Sequence, residues 1–164
     1  MPTMKTLILT FLLTLALPFF TSAQEPEAAE VTQPAANITI KEKEFGLFEE
    51  KERGEILFTP AESVPHVLGQ GYGWRLKVDT DSKSIRVKHE LHLPAPAKDW
   101  GDIEEGMTVS ADRKSCAYVE DCKLHQGYIF YAWEVAEDDP EGEYEVRVFI
   151  DDKLVARFKF TVKR

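Results

Sequence analysis

Cysteine and histidine are scarce in this chain, with two of the first and four of the second in 164 residues. That leaves little material for a metal centre, since structural zinc takes four such ligands and catalytic zinc takes three plus a water. Basic residues are also outnumbered, 20 Lys and Arg against 29 Asp and Glu, giving a formal charge of −9. So acidic a chain lacks the general positive field that draws proteins to nucleic acid or anionic lipid. No serine sits in a Gly-x-Ser-x-Gly turn, which removes the usual nucleophile elbow. The glycine-rich "GQGYG" at 69–73 leads into a strand pattern, "YGWRLKV", rather than the helix that a nucleotide-binding loop requires. No segment carries a sustained helical period, although "DWGDIEEG" could form one short turn. Nothing in the spacing of the acids selects a catalytic carboxylate pair, and the clusters Asp79-Thr80-Asp81 and Asp138-Asp139 read as solvated turns rather than calcium loops.

What is present begins with Lys5, an apolar run from Leu7 to Phe20, and the small residues Thr21-Ser22-Ala23. This is the pattern of a secretory signal peptide over residues 1–23. The run falls short of the roughly 20 apolar residues of a membrane span, so no stable membrane insertion is expected after cleavage. Residues 24–37, "QEPEAAEVTQPAAN", hold too little apolar surface to offset the entropy of ordering and read as a flexible leader. Removing residues 1–23 takes one lysine and no acid, so the mature charge is 19 − 29 = −10. The remaining 38–164 is long enough for one domain with its own core. The expected location is periplasmic or secreted.

Export bears on "RKSCAYVEDCKLH", residues 113–125, which holds both cysteines. In an oxidising compartment two cysteines are most often paired, so the expectation is a Cys116–Cys122 disulfide stapling a loop. The competing reading is a metal-binding protein or hydrolase using Cys116, Cys122 and His125, with His66 as a further ligand. In "HELH" (89–92) the two histidines lie three apart within an alternating strand and so face opposite sides. His89, among Ile85, Val87 and Leu91, is expected in the core, and His92 on the wet face.

From Ile38 onward the pattern is β. Tyr144, Val146, Val148 and Ile150, then Leu154, Ala156, Phe158, Phe160 and Val162, alternate with mostly polar residues on either side of Asp151-Asp152-Lys153. That is a hairpin with one buried face, with Glu143 and Glu145 set against Lys159 and Arg157. "GYIFYAWEVAE" (127–137) is apolar on both faces and reads as a central strand. "SIRVKHELHL", "YGWRLKVD", "GEILFTP", "MTVSAD" and 37–49 complete an all-β antiparallel sandwich of about seven to eight strands.

The closing segment, Pro140-Glu141-Gly142-Glu143-Tyr144-Glu145-Val146 followed by "LVARFKFTV", resembles the last hairpin of immunoglobulin-like domains. With "FGLFEEKERGE" and "VPHVLGQGYGWRLKV", the chain is similar to small exported bacterial proteins of an uncharacterised family with that β-sandwich. The resemblance implies an immunoglobulin-like fold and an envelope location, and assigns no catalytic residue and no cofactor. Because the cysteines are local, the bridge between sheets seen in antibody domains cannot form, so packing alone must hold the sandwich.

Aromatic residues are the remaining lead. Trp100 stands in the polar segment "AKDWGDIEEG", and Tyr118 lies between the cysteines. Aromatics on fixed loops are frequent anchors for partners, and packing against the sandwich end is the other role open to Trp100. The expected protein is a non-enzymatic envelope module that contacts a protein or glycan partner through its loops, with Trp100, Tyr118 and His125 as binding residues.

Overall fold

Period-two alternation runs through ten strands of the computed structural model, which describes residues 37–51 and 55–164. The expected signal peptide and all but the last residue of the leader lie outside the described residues. The strands are β1 (Thr39–Glu50), β2 (Ile56–Pro60), β3 (Ser63–Pro65), β4 (Gly71–Asp79), β5 (Ser84–His92), β6 (Met107–Val109), β7 (Ser115–Lys123), β8 (Tyr128–Glu134), β9 (Gly142–Ile150) and β10 (Lys153–Lys163). Among the described residues there is no helix.

They form a four-stranded sheet, β2-β1-β4-β8, and a six-stranded sheet, β3-β10-β9-β5-β7-β6. The pairings are antiparallel except that of β3 with β10. The core is the set of inward positions that the alternation dictates. Tyr72, Trp74, Leu76 and Val78 come from β4; Ile85, Val87, His89 and Leu91 from β5; Tyr144, Val146, Val148 and Ile150 from β9; all are buried.

The closing hairpin forms as read. Its two-residue turn, Asp151-Asp152, has positive φ at both positions, 49° and 59°, the type I′ geometry whose twist matches paired strands. Glu145 lies opposite Lys159 and also meets Arg147 and Arg157, whereas Glu143 lies opposite Thr161. Below it, the Tyr144 hydroxyl donates to the Pro140 carbonyl at 2.7 Å, a tyrosine corner of the kind found in immunoglobulin-like sandwiches.

Three expectations change. The strands number ten, because β3 and β7 were read as connections. β3 is only three residues long and is held by pairing with β10. The segment expected as a stapled loop is largely strand β7, which pairs with β5 along its whole length and with β6. Finally, β8 is the edge of its sheet rather than a central strand. Both its faces are apolar for separate reasons: Ile129 is buried in the core, while Phe130 packs on the outer face against Phe48 at 5.8 Å.

Candidate functional site

β7 and β8 belong to different sheets and face each other at one open side of the sandwich. Alternation sends Cys116, Tyr118, Glu120 and Cys122 inward from β7, and Ile129, Tyr131 and Trp133 inward from β8. Register then stacks the rings. His89 on β5 lies directly opposite Tyr118, and Trp74 on β4 directly opposite Tyr131. The His89 ring centre is 5.5 Å from Tyr118 within its own sheet and, across the sheets, 4.1 Å from Tyr131, 5.3 Å from Trp133 and 5.9 Å from Trp74.

In front of this stack opens a cleft of about 230 Å³. Trp100, Tyr118, Tyr131 and Trp133 supply its aromatic walls, with Met107 and Cys116 beside them and Asp102 and Glu104 at the rim. Trp100 reaches it because the 97–100 segment is tied to the β6–β7 turn. Its indole N–H donates to the Arg113 carbonyl at 3.3 Å, and the Arg113 guanidinium donates to the Ala97 and Lys98 carbonyls at 3.0 and 2.7 Å. Trp100 is thus packed against the sandwich while remaining half-exposed at the cleft.

The interior behind the cleft is polar and poorly paired. His89 is 1 % exposed, and neither of its ring nitrogens has a hydrogen-bond partner among the described residues. Burial drives its pKa down to about 3, so the ring is neutral at physiological pH. Glu120 Oε1 lies 4.0 Å from His89 Nδ1 and is likewise buried without a partner; burial raises that carboxyl above its ordinary range. Burial, followed by the Glu120 charge, pushes the Tyr131 hydroxyl up to about 12. Burial, then the charges of Glu104 and Glu120, raises Tyr118. Both tyrosines therefore stay protonated.

The cysteine expectation is corrected. Cys116 and Cys122 are buried and unpaired. Six residues along one strand separate their Cα atoms by about 20 Å at ~3.3 Å per residue, far beyond the ~7 Å that a disulfide can span. Burial raises both thiols, and the Glu120 charge raises Cys122 further, so neither is an activated nucleophile. The measurement is a thiol titration with intact mass. Two thiols are expected to react only after denaturation, and the mass should not change on reduction. An oxidised mass that shifts on reduction would restore the bridge.

The residues of the Cys/His metal reading are not brought together either. His125 is exposed at the β7–β8 turn and borders a different groove, with Phe58, Arg75 and Tyr128. His66 Nε2 lies 2.8 Å from the Asp139 carbonyl. Among the described residues no three His, Cys, Asp or Glu side chains converge as a metal-ligating group. Of the three expected binding residues, then, Trp100 and Tyr118 share one cleft and His125 stands apart. Tyr131, Trp133, Asp102, Glu104 and the buried His89–Glu120 pair were not singled out as site residues. Tyr131 and Trp133 were signalled by the apolar residues on both faces of β8, and His89 by its place among Ile85, Val87 and Leu91 as a core histidine; Asp102, Glu104 and Glu120 carried no signal.

Two packed sheets, a tyrosine corner and a buried tryptophan without an inter-sheet bridge define an immunoglobulin-like β-sandwich. The chain belongs to the PM0630 β-sandwich domain family, whose pattern matches residues 43–163. In fold it is similar to an immunoglobulin-like protein from Pseudomonas aeruginosa, at 21 % identity and a TM-score of 0.57, over 80 % of this chain and 100 % of that one. A weaker likeness, with a TM-score of 0.43 and 13 % identity, covers 79 % of this chain and 31 % of a DNA-bound alkylpurine DNA glycosylase from Pseudomonas fluorescens. These likenesses concern the fold. No curated protein matches the chain in sequence.

Proposed function

We propose that this protein is a non-enzymatic binding module of the cell envelope, exported to the periplasm or beyond, which engages a protein or glycan partner at the cleft between β7 and β8. The observation that carries this reading is the convergence of Trp100, Tyr118, Tyr131 and Trp133 on one opening. Aromatic faces on a rigid frame give large contact area at little entropic cost. The cleft offers ring faces and carboxylates in place of an activated nucleophile, since burial raises the Cys116 thiol. The signal-like residues 1–23 support export.

The test uses the three tryptophans as separate reporters. In indole ¹⁵N spectra of the mature chain, envelope oligosaccharides or peptides should move the Trp100 and Trp133 signals and leave the enclosed Trp74 signal in place. Trp100→Ala should abolish that response, with the melting temperature falling only a few degrees. A response confined to the groove of His125, Arg75 and Tyr128 would sink the proposal, as would chemical turnover of a ligand.

A further inference from the structure

Resting on the reading of this cleft as the binding site, we infer that it selects a methylated ammonium group, as carried by choline-type compounds or a trimethylated lysine side chain. The walls form a box rather than a platform. Tyr118 and Tyr131 are 5.8 Å apart with their planes at 54°, and Tyr131 and Trp133 are 4.9 Å apart at 66°. A flat platform suits a sugar ring, whereas non-coplanar rings around a small space suit a compact cation, which is drawn to the negative faces of several rings at once. The volume, about 230 Å³, lies below the roughly 300–1,000 Å³ of sites for drug-sized ligands, so the occupant is a head group rather than a whole large molecule.

Charge points the same way. Among the described residues the cleft is bordered by Asp102 and Glu104 and by no lysine or arginine, and the chain as a whole carries −9. Such a field attracts cations and repels acids. Directly behind the rings stands His89, buried, unpartnered and uncharged, so no positive charge opposes a cation in the box. Methylation matters because a primary ammonium carries three N–H donors that need acceptors. Apart from the Tyr118 and Tyr131 hydroxyls and the Cys116 thiol, the inner walls are rings and the Met107 thioether, too few acceptors for three N–H donors, whereas a methylated cation leaves no donor unpaired.

The experiment is a tryptophan-fluorescence and indole-shift titration of the mature chain with choline, tetramethylammonium and the neutral choline isostere 3,3-dimethylbutan-1-ol. Choline should bind at the Trp100 and Trp133 signals about tenfold more tightly than the isostere. Trp133→Leu should lose that preference while Trp133→Phe retains most of it. Should Trp133→Leu fail to fold, the exposed rim variant Asp102→Asn/Glu104→Gln decides: it should weaken choline several-fold, weaken the isostere little, and flatten the salt dependence. Phosphatidylcholine vesicles and a trimethyllysine peptide, run in parallel, identify which carrier the box accepts. Equal affinity for choline and isostere overturns the inference, as does binding of neutral saccharides alone at these signals, and in both cases the cleft remains a binding site. No saturable response to either cation overturns it too, while the oligosaccharide and peptide screen separately decides whether the cleft binds at all.

Discussion

His89 by itself should make acid destabilise this fold by about 2 kcal/mol at pH 5 and about 3 kcal/mol at pH 4. The ring is held neutral in the folded state, with a pKa of about 3, because burial penalises its charged form. Released into water on unfolding, it titrates near 6.5. Between those values the unfolded chain binds the extra proton, so the stability His89 contributes is fully present above pH 6.5 and is lost as the pH falls towards 3. Glu120, 4.0 Å away, works against this. Its raised pKa lets the folded state take up a proton at higher pH than the unfolded state does, which offsets part of the loss. Tyr118 and Tyr131, packed against the ring, stay protonated throughout.

The comparison that isolates His89 is urea denaturation of the wild type and His89→Leu from pH 7 to pH 4. The variant exchanges two unpartnered buried nitrogens for an apolar group, so it should match or exceed wild-type stability at pH 7. Its advantage should widen by about 2 kcal/mol at pH 5. Parallel curves for the two proteins would mean that the histidine is hydrated or paired in solution.

Gly73→Ala should cost about 3 kcal/mol, at the upper end of overpacking penalties. Gly73 lies on β4 opposite Gly46 of β1 and Ala132 of β8. A Cβ there would overlap the Tyr131 carbonyl oxygen and crowd the Ala132 Cα at 2.8 Å. Both obstacles are backbone, so relief requires β8 to move away from β4. That displacement would carry Tyr131 and Trp133 with it, and the indole signal of Trp133 should shift along with the loss of stability. Gly101→Ala is the control. Gly101 has φ 69° with nothing within 4 Å, so only left-handed backbone strain of roughly 1–2 kcal/mol is expected. A loss at Gly73→Ala no larger than that at Gly101→Ala would show that β8 can part from β4 at little cost, because Gly73 itself has no left-handed backbone to strain.

The cleft depends on elements that local reading treated unequally. Trp100 was conspicuous because an indole in a polar connection has no strand face to enter. Tyr118 drew attention only because it lies between the cysteines, and the loop assigned to it is a strand. The segment 115–123 reads as a loop because its two cysteines are expected to pair. Its inward face is nevertheless Cys116, Tyr118, Glu120 and Cys122, with Glu120 tolerated beside His89 because burial favours its neutral form. The disulfide expectation came from the export reading, and it fails because five intervening residues can close a loop only if the chain turns, whereas an extended strand carries its ends apart.

Class and closing hairpin were legible in the sequence itself, because a period of two, Pro and Gly punctuation and the Asp151-Asp152 turn act between near neighbours along the chain. The inward placing of His89 and the opposite facing of His92 follow from the same short-range rule. Edge and centre, by contrast, are properties of a sheet and are invisible from one strand, so β8 was misplaced. Only the tertiary structure brought Trp100, Tyr118, Tyr131 and Trp133 to one opening, because register across two sheets and the Arg113 clamp, not spacing in the sequence, set which inward side chains meet.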